Sequence, residues 1–197
     1  MSQPGNTGAQ LVLIRHAPVA QAGRLVGRTD ADARIDAKAV AALAEGLGRV
    51  AGVVTSPARR CRQTAAALWP KVDAPTDARL WEQDFGAHDG LALADLPDLG
   101  PMSSAEIAAY RPPGGESFDD LCTRAFPALS DCAARAHALS APLALVVHAG
   151  IVRAALAQVL AHRPAAMAFE VSNLSVTRLR VGAKGAFSVI EANRTWP

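Results

Sequence analysis

Apolar residues in this chain follow two patterns: short unbroken runs, and longer stretches in which they return every three or four positions. Leu11, Val12, Leu13 and Ile14 form a run that stops at Arg15-His16, as in a strand buried on both faces. Residues 17–35 carry Pro18, Gly23, Gly27 and scattered charges and read as a loop. Val40, Leu43, Ala44, Leu47 and Val50 then recur at helical spacing, predicting a crossover helix. Val53 and Val54 predict a short strand ending at Thr55-Ser56-Pro57, with Ser56 as N-cap and Pro57 in the first turn of a helix starting there. Ala78–Trp81 reads as a further strand. From Glu82 to Glu116 there is no sustained period and several Pro and Gly, so a lid-like insertion is predicted at about 84–116.

The second half is more regular. Ser117 with Asp120 makes a capping-box pattern ahead of a helix whose apolar face is Phe118, Leu121, Cys122, Ala125, Leu129, Cys132, Ala133 and Ala136. Pro127 interrupts it, and an interior proline costs about 3 kcal/mol, so a bend is expected there. Leu143–Val147 is a strand ending at His148, Ile151–Ala161 a helix, and Ser175–Arg180 and Phe187–Ile190 strands joined as a hairpin through Gly182–Gly185. Alternating strands and helices without repeats predict an α/β class, a three-layer α/β/α sandwich on a largely parallel central sheet, as one domain over residues 1–197.

Composition narrows the function classes. A chain of 197 residues with 50% hydrophobic content suits one core, and its apolar stretches are too short or too broken by Arg to span a bilayer. Met1–Gln10 is polar and carries neither a basic start nor an apolar signal core, so a cytoplasmic location is the expectation. Cys61, Cys122 and Cys132 form no CxxC pair and have no neighbouring His at zinc-ligand spacing, so reduced thiols and no metal or other cofactor are expected. Of 20 basic residues 17 are Arg, a bias that base composition of the gene or bidentate anion recognition would each produce, so only position decides, and the net charge is only +2. The densest cluster, Arg59, Arg60 and Arg62, is too small and too poor in aromatics for nucleic acid. No nucleic-acid or membrane partner is expected, and the sequence leaves homo-oligomerisation open.

Candidate chemistry emerges where polar residues meet the predicted sheet. Two parallel strands end in histidine, at Arg15-His16 and at His148, and a third leads into a helix start bearing arginines. Ligands in open α/β sheets bind at the carboxyl ends of strands, so this convergence implies an anion site.

These residues resemble the histidine phosphatase superfamily, which includes cofactor-dependent phosphoglycerate mutases and α-ribazole phosphatases. Leu-Ile-Arg-His (13–16) is similar to the family's Arg-His-Gly signature, Ser56-Pro-Ala-Arg-Arg60-Cys-Arg-Gln-Thr-Ala65 to its second-strand segment, and Leu80-Trp-Glu82-Gln-Asp-Phe-Gly86 to its acid motif. Pro113-Gly-Gly-Glu-Ser117 and Val147-His-Ala-Gly150 follow in the family's order. The resemblance covers most of the chain and implies a phosphoglycerate mutase-like fold and a metal-independent phosphomonoester hydrolase acting through a phosphohistidine.

It implies the following roles. His16 is the nucleophile, held neutral by flanking positive charge. Arg15 and Arg60, with His148 as a further donor, hold the phosphoryl oxygens, and the amides at Gly150 add a helix terminus. Glu82 protonates the leaving alkoxide and then activates water, with Asp84 as the alternative acid. Arg59 and Arg62 are solvated helix residues, and His88, His137 and His162 lie outside the motifs and are expected to be exposed. Ala17 and Ala149 stand where glycines are usual, His88-Asp89 where Trp-Glu is common, and Ala22 where an Asn is frequent, so contacts from Gly27, Arg28 and Thr29 are expected instead. The implied partner is a small phosphorylated metabolite, with α-ribazole 5′-phosphate of cobalamin biosynthesis favoured over a broad-specificity phosphatase or a mutase. From a different class comes a non-catalytic phospho-ligand binding protein, kept open by Ala17 and Ala149, because a methyl group strains a position whose φ is positive.

Overall fold

A computed structural model describes residues 8–197. Met1–Thr7, part of the stretch read for export signals, lies outside the described residues. The runs of Val, Leu and Ile form strands β1 (Gln10–Arg15), β2 (Gly52–Thr55) and β3 (Pro142–Val147), and two later strands, β4 (Val176–Val181) and β5 (Phe187–Arg194), complete one sheet in the order β2-β3-β1-β4-β5. The first three are mutually parallel, whereas β4 and β5 run antiparallel, so the sheet is mixed. Helices α1 (Ala37–Leu47), α2 (Arg59–Leu68), α3 (Ser104–Ala109), α4 (Phe118–Leu139), α5 (Ala149–Leu160) and α6 (Arg163–Ala166) surround it.

Strand alternation explains the layering. Val12, Ile14, Val53, Ala144 and Val146 meet Val40, Leu43 and Leu47 of α1 and Cys61, Ala65 and Leu68 of α2. Leu11, Leu13, Leu143, Leu145 and Val147 meet the apolar faces of α4 and α5, where Cys122 and Cys132 pack as small hydrophobes. Each fully buried aliphatic side chain contributes about 1.5–3 kcal/mol, so the central strands anchor the three layers. All three cysteines are buried and free. Among the described residues no helix is long and apolar enough to cross a membrane.

Several local expectations are corrected. Ala78–Leu80 is a 3₁₀ turn capped by the Asp77 carboxylate, not a strand, because pairing with β2 stops at one Thr55–Thr76 bridge, beyond which the next donor from the β2 side would be Pro57, which has no N–H to give. Helix α2 starts at Arg59 with Ala58 at its N-cap, since the Ser56 hydroxyl is used by His148. Pro127, where a bend is expected, does not end helix α4, which continues to Leu139. Thr123 and Pro127 both lie on its exposed face, where water can satisfy the freed Thr123 carbonyl. Helix α1 stops at Leu47 ahead of Gly48, whose φ is +69°, and leaves Val50 outside.

The segment 84–116 contains two 3₁₀ turns, Gly86–His88 and Leu93–Asp95, and α3 behind a Ser103–Glu106 capping box. Its start and end are tied together, since Asp84 N donates to Glu116 and Glu116 N to Asp84 O.

Candidate active site

The sheet register builds the site's centre. Arg15 pairs with Val147, so the next residues along these parallel strands, His16 and His148, emerge side by side with ring centroids 5.2 Å apart. His16 is 5% exposed. Its Nδ1 lies 2.6 Å from the Ala17 carbonyl, which only accepts, so Nδ1 carries the proton and Nε2 is the accepting nitrogen. Burial, then the Arg60 guanidinium, push the His16 pKa down to about 3, against the opposing Ala17 hydrogen bond. The imidazole is therefore neutral at physiological pH.

Arg60, in the first turn of α2, is fully buried. Its guanidinium donates to the carbonyls of Gly27 (2.8 Å) and Thr29 (3.0 Å), to His16 Nε2 (3.3 Å) and to His148 Nδ1 (3.2 Å). Because Arg60 only donates, His148 Nδ1 must accept, and its Nε2–H then donates to Ser56 Oγ at 2.8 Å. Burial followed by Arg60 lowers the His148 pKa well below its ordinary value.

Glu82 approaches from the opposite side. Arg124 of α4 holds the backbone leading to it, donating to the carbonyls of Arg79, Trp81 and Glu82. The carboxylate accepts from Gly150 N at 3.1 Å and from Gln83 N at 3.0 Å. This approach requires glycine, since a Cβ on residue 150 would stand 2.3 Å from Glu82 Oε1. Arg15 donates to the Val171 carbonyl, while its Nε–H is buried without a partner. Burial lowers its pKa, with Glu82 opposing, and the guanidinium stays charged.

Arg15, His16, Glu82 and Gly150 line one end of a cavity of about 530 Å³. Among the described residues no group of three or more His, Cys, Asp or Glu is placed to hold a metal ion. The pattern of the histidine phosphatase superfamily, branch 1, matches residues 11–194, nearly the whole chain. The chain belongs to the histidine phosphatase superfamily. A bifunctional protein of Mycobacterium tuberculosis is 35% identical over 139 residues, 62% of this chain and 38% of that protein, so the chain matches well under half of that relative's length. A metal-independent phosphoserine phosphatase of Arabidopsis thaliana is 29% identical over 161 residues, 74% of this chain and 66% of that one. The solved structure of a mycobacterial glucosyl-3-phosphoglycerate phosphatase with VO3 matches with a TM-score of 0.82 at 28% identity, covering 95% of this chain and 100% of that one.

Within this member of the superfamily the candidate residues divide into two groups. Arg15, His16, Glu82 and Gly150 face the cavity, whereas Arg60 and His148 stand behind His16, with both His148 nitrogens already engaged. Gly27, Arg28 and Thr29, expected to contact the ligand, do not line this cavity. The Gly27 and Thr29 amides donate to Asp89, their carbonyls accept from Arg60, and Arg28 lies over Trp81 and pairs with Glu116 at 3.6 Å. Asp84 is spent on the Gly86 amide, Arg59 pairs with Asp32 at the surface, and Arg62 is exposed. His88 is only half exposed and stacks on Tyr110, while His137 and His162 are exposed.

Four contributors escaped the sequence reading. Ser56 holds His148, Thr64 Oγ1 accepts from Ala17 N, Asn173 donates to the His16 carbonyl at 2.9 Å, and Arg153 lines the cavity. Thr64 had a local signal, one helical turn after Arg60 on the buried face of α2. Asn173, 157 positions from His16, had none.

Proposed function

We propose that this chain is a metal-independent phosphomonoester hydrolase that works through a phosphohistidine on His16. The observation that carries the reading is the neutral His16 ring, its proton fixed on Nδ1 by Ala17 and its Nε2 an acceptor that meets the Arg60 guanidinium at 3.3 Å, a hydrogen bond that Nε2 gives up when it attacks phosphorus. In the first step Nε2 forms a bond to phosphorus, the ester P–O bond breaks, and Glu82 delivers a proton to the leaving oxygen. In the second, Glu82 takes a proton from water, which attacks phosphorus and releases inorganic phosphate with His16 restored. The unpartnered Arg15 Nε–H is the donor left for a phosphoryl oxygen, while Arg60, buried behind His16, adds positive charge beside the attacking ring. His148 supports the reaction by orienting Arg60 from behind.

The alternative of a binding protein without turnover rested on Ala17 and Ala149. Neither has a positive φ, so both methyl groups are accommodated without backbone strain, which favours the hydrolase. The phosphatases named above support a small phosphorylated metabolite as substrate. Within that class α-ribazole 5′-phosphate is the substrate we put forward, on the Arg-His-Ala-Pro start and the Gly-Gly-Glu-Ser stretch, with a broad-specificity phosphatase or a mutase as the competing outcome. The test uses a ³²P-labelled monoester with a rapid alkaline denaturing quench. Unmutated protein should carry label on histidine and turn over in EDTA, and His16→Ala should lose both label and turnover. Turnover retained in His16→Ala, or abolished by EDTA and restored by Mg²⁺, overturns the mechanism.

A further inference from the structure

The cavity that contains His16 extends well beyond the reacting end. Its volume, about 530 Å³, far exceeds the needs of a phosphoryl group, and its outer wall is made largely of Leu25, Phe85, Leu93, Leu96, Leu99 and Ile107. Leu93, Leu99 and Ile107 are 55%, 47% and 43% exposed, and all three line this one cavity. They fill no core, so folding gains little from their apolar character, whereas a bound apolar group would remove them from water.

The same wall offers few acidic groups to a polar guest. Among the described residues Glu82 is the only carboxylate lining the cavity, and it sits at the reacting end. Arg24 gives one N–H to the Gly90 carbonyl at 2.6 Å and Arg153 one to the Phe169 carbonyl at 3.0 Å, His88 is stacked on Tyr110, and Gln83 and Asn173 are the remaining polar side chains outside the reacting centre. A polyol or an amino acid esterified at phosphate would press hydroxyl or ammonium groups against hydrocarbon with few acceptors, which disfavours binding.

We infer that the site selects phosphomonoesters whose departing alcohol carries an extended apolar body, alkyl or aromatic, packed against the 84–116 segment. This deepens the hydrolase reading and rests on it. The test is kcat/KM of the full chain on butyl, hexyl and octyl phosphate beside glycerol 3-phosphate, phosphoserine and 3-phosphoglycerate. The alkyl series should rise roughly fourfold per methylene until the cavity is filled, and octyl phosphate should exceed each polar ester at least tenfold. Leu93→Ser and Ile107→Ser, at exposed positions that tolerate a hydroxyl, should each lower the octyl-to-butyl ratio at unchanged melting temperature. A flat chain-length series, polar esters matching octyl phosphate, or ratios untouched by both substitutions would overturn the inference. If no ester at all is turned over, the hydrolase reading fails instead. Calorimetric binding of octyl phosphate against glycerol 3-phosphate then decides the inference alone, with equal affinities counting against it.

Discussion

Glu82 is the residue whose role depends most on the substrate's own chemistry. It faces the cavity near Arg15 and is fastened by two amides, so Glu82→Gln keeps the shape and removes the transferable proton. With an alkyl phosphate the leaving alkoxide is strongly basic, and phosphorylation of His16 should slow by the ~10²- to 10⁴-fold typical of lost general acid catalysis. With p-nitrophenyl phosphate the leaving group departs unaided, so a burst of p-nitrophenol should precede a slow steady state in rapid-mix kinetics. Equal losses on both substrates without a burst would remove Glu82 from the acid role. At this scale the motif resemblance chose Arg60 over Arg59 and Glu82 over Asp84, and the structure buries Arg60 and Glu82, leaves Arg59 exposed and engages Asp84 with the Gly86 amide. The hydrogen-bonding of His148 was not legible. It depends on Ser56, which by local rules reads as a helix cap.

At the scale of elements, the loop ending at Thr29 works as a clamp between two charged groups. Asp89 Oδ1 and Oδ2 accept the Gly27 and Thr29 amides at 2.8 and 2.7 Å, and the carbonyls of the same two residues hold Arg60. Gly27 has no room for a side chain, since a Cβ would lie 2.3 Å from the Gln83 carbonyl. Asp89→Asn replaces one acceptor by a donor that faces an N–H, losing a charge-assisted bond and loosening Arg60. The expected outcome is a roughly tenfold weaker inhibition by inorganic phosphate, about 1.4 kcal/mol, together with a fall in kcat. An unchanged inhibition constant would show that Asp89 does not reach Arg60. The helices and central strands were readable because burial imprints a period on them. Ala78–Leu80 was misread, as a short apolar stretch carries no period and its pairing ends where β2 gives way to Pro57.

For the whole molecule, the buried histidines link folding to pH. An unfolded histidine takes up a proton near pH 6.5, whereas folded His16 does so only at about 3 and folded His148 also well below 6.5. Below pH 6.5 the unfolded chain therefore binds more protons, and stability, complete above that point, falls as pH drops, by about 1.4 kcal/mol per pH unit for each histidine. Urea midpoints between pH 6.5 and 5, above the range in which Asp77 and Glu116 with their lowered pKa values take up protons, should show this slope, and His16→Asn should reduce it by about half. A slope unaffected by that substitution would mean that His16 is not held neutral by the fold. The sequence by itself determined the strands that end in Arg15-His16 and His148, the helix carrying Arg60 and the α/β class, because side-chain periodicity records which faces avoid water. Only the tertiary structure decided that β1 and β3 pair in the register that sets the two histidines together, that Asp89 reaches back 62 positions to Gly27, and that the 84–116 segment turns its leucines toward the site. Those contacts join residues far apart in the chain through loops without a period, where the path of the backbone, rather than local pattern, sets what meets what.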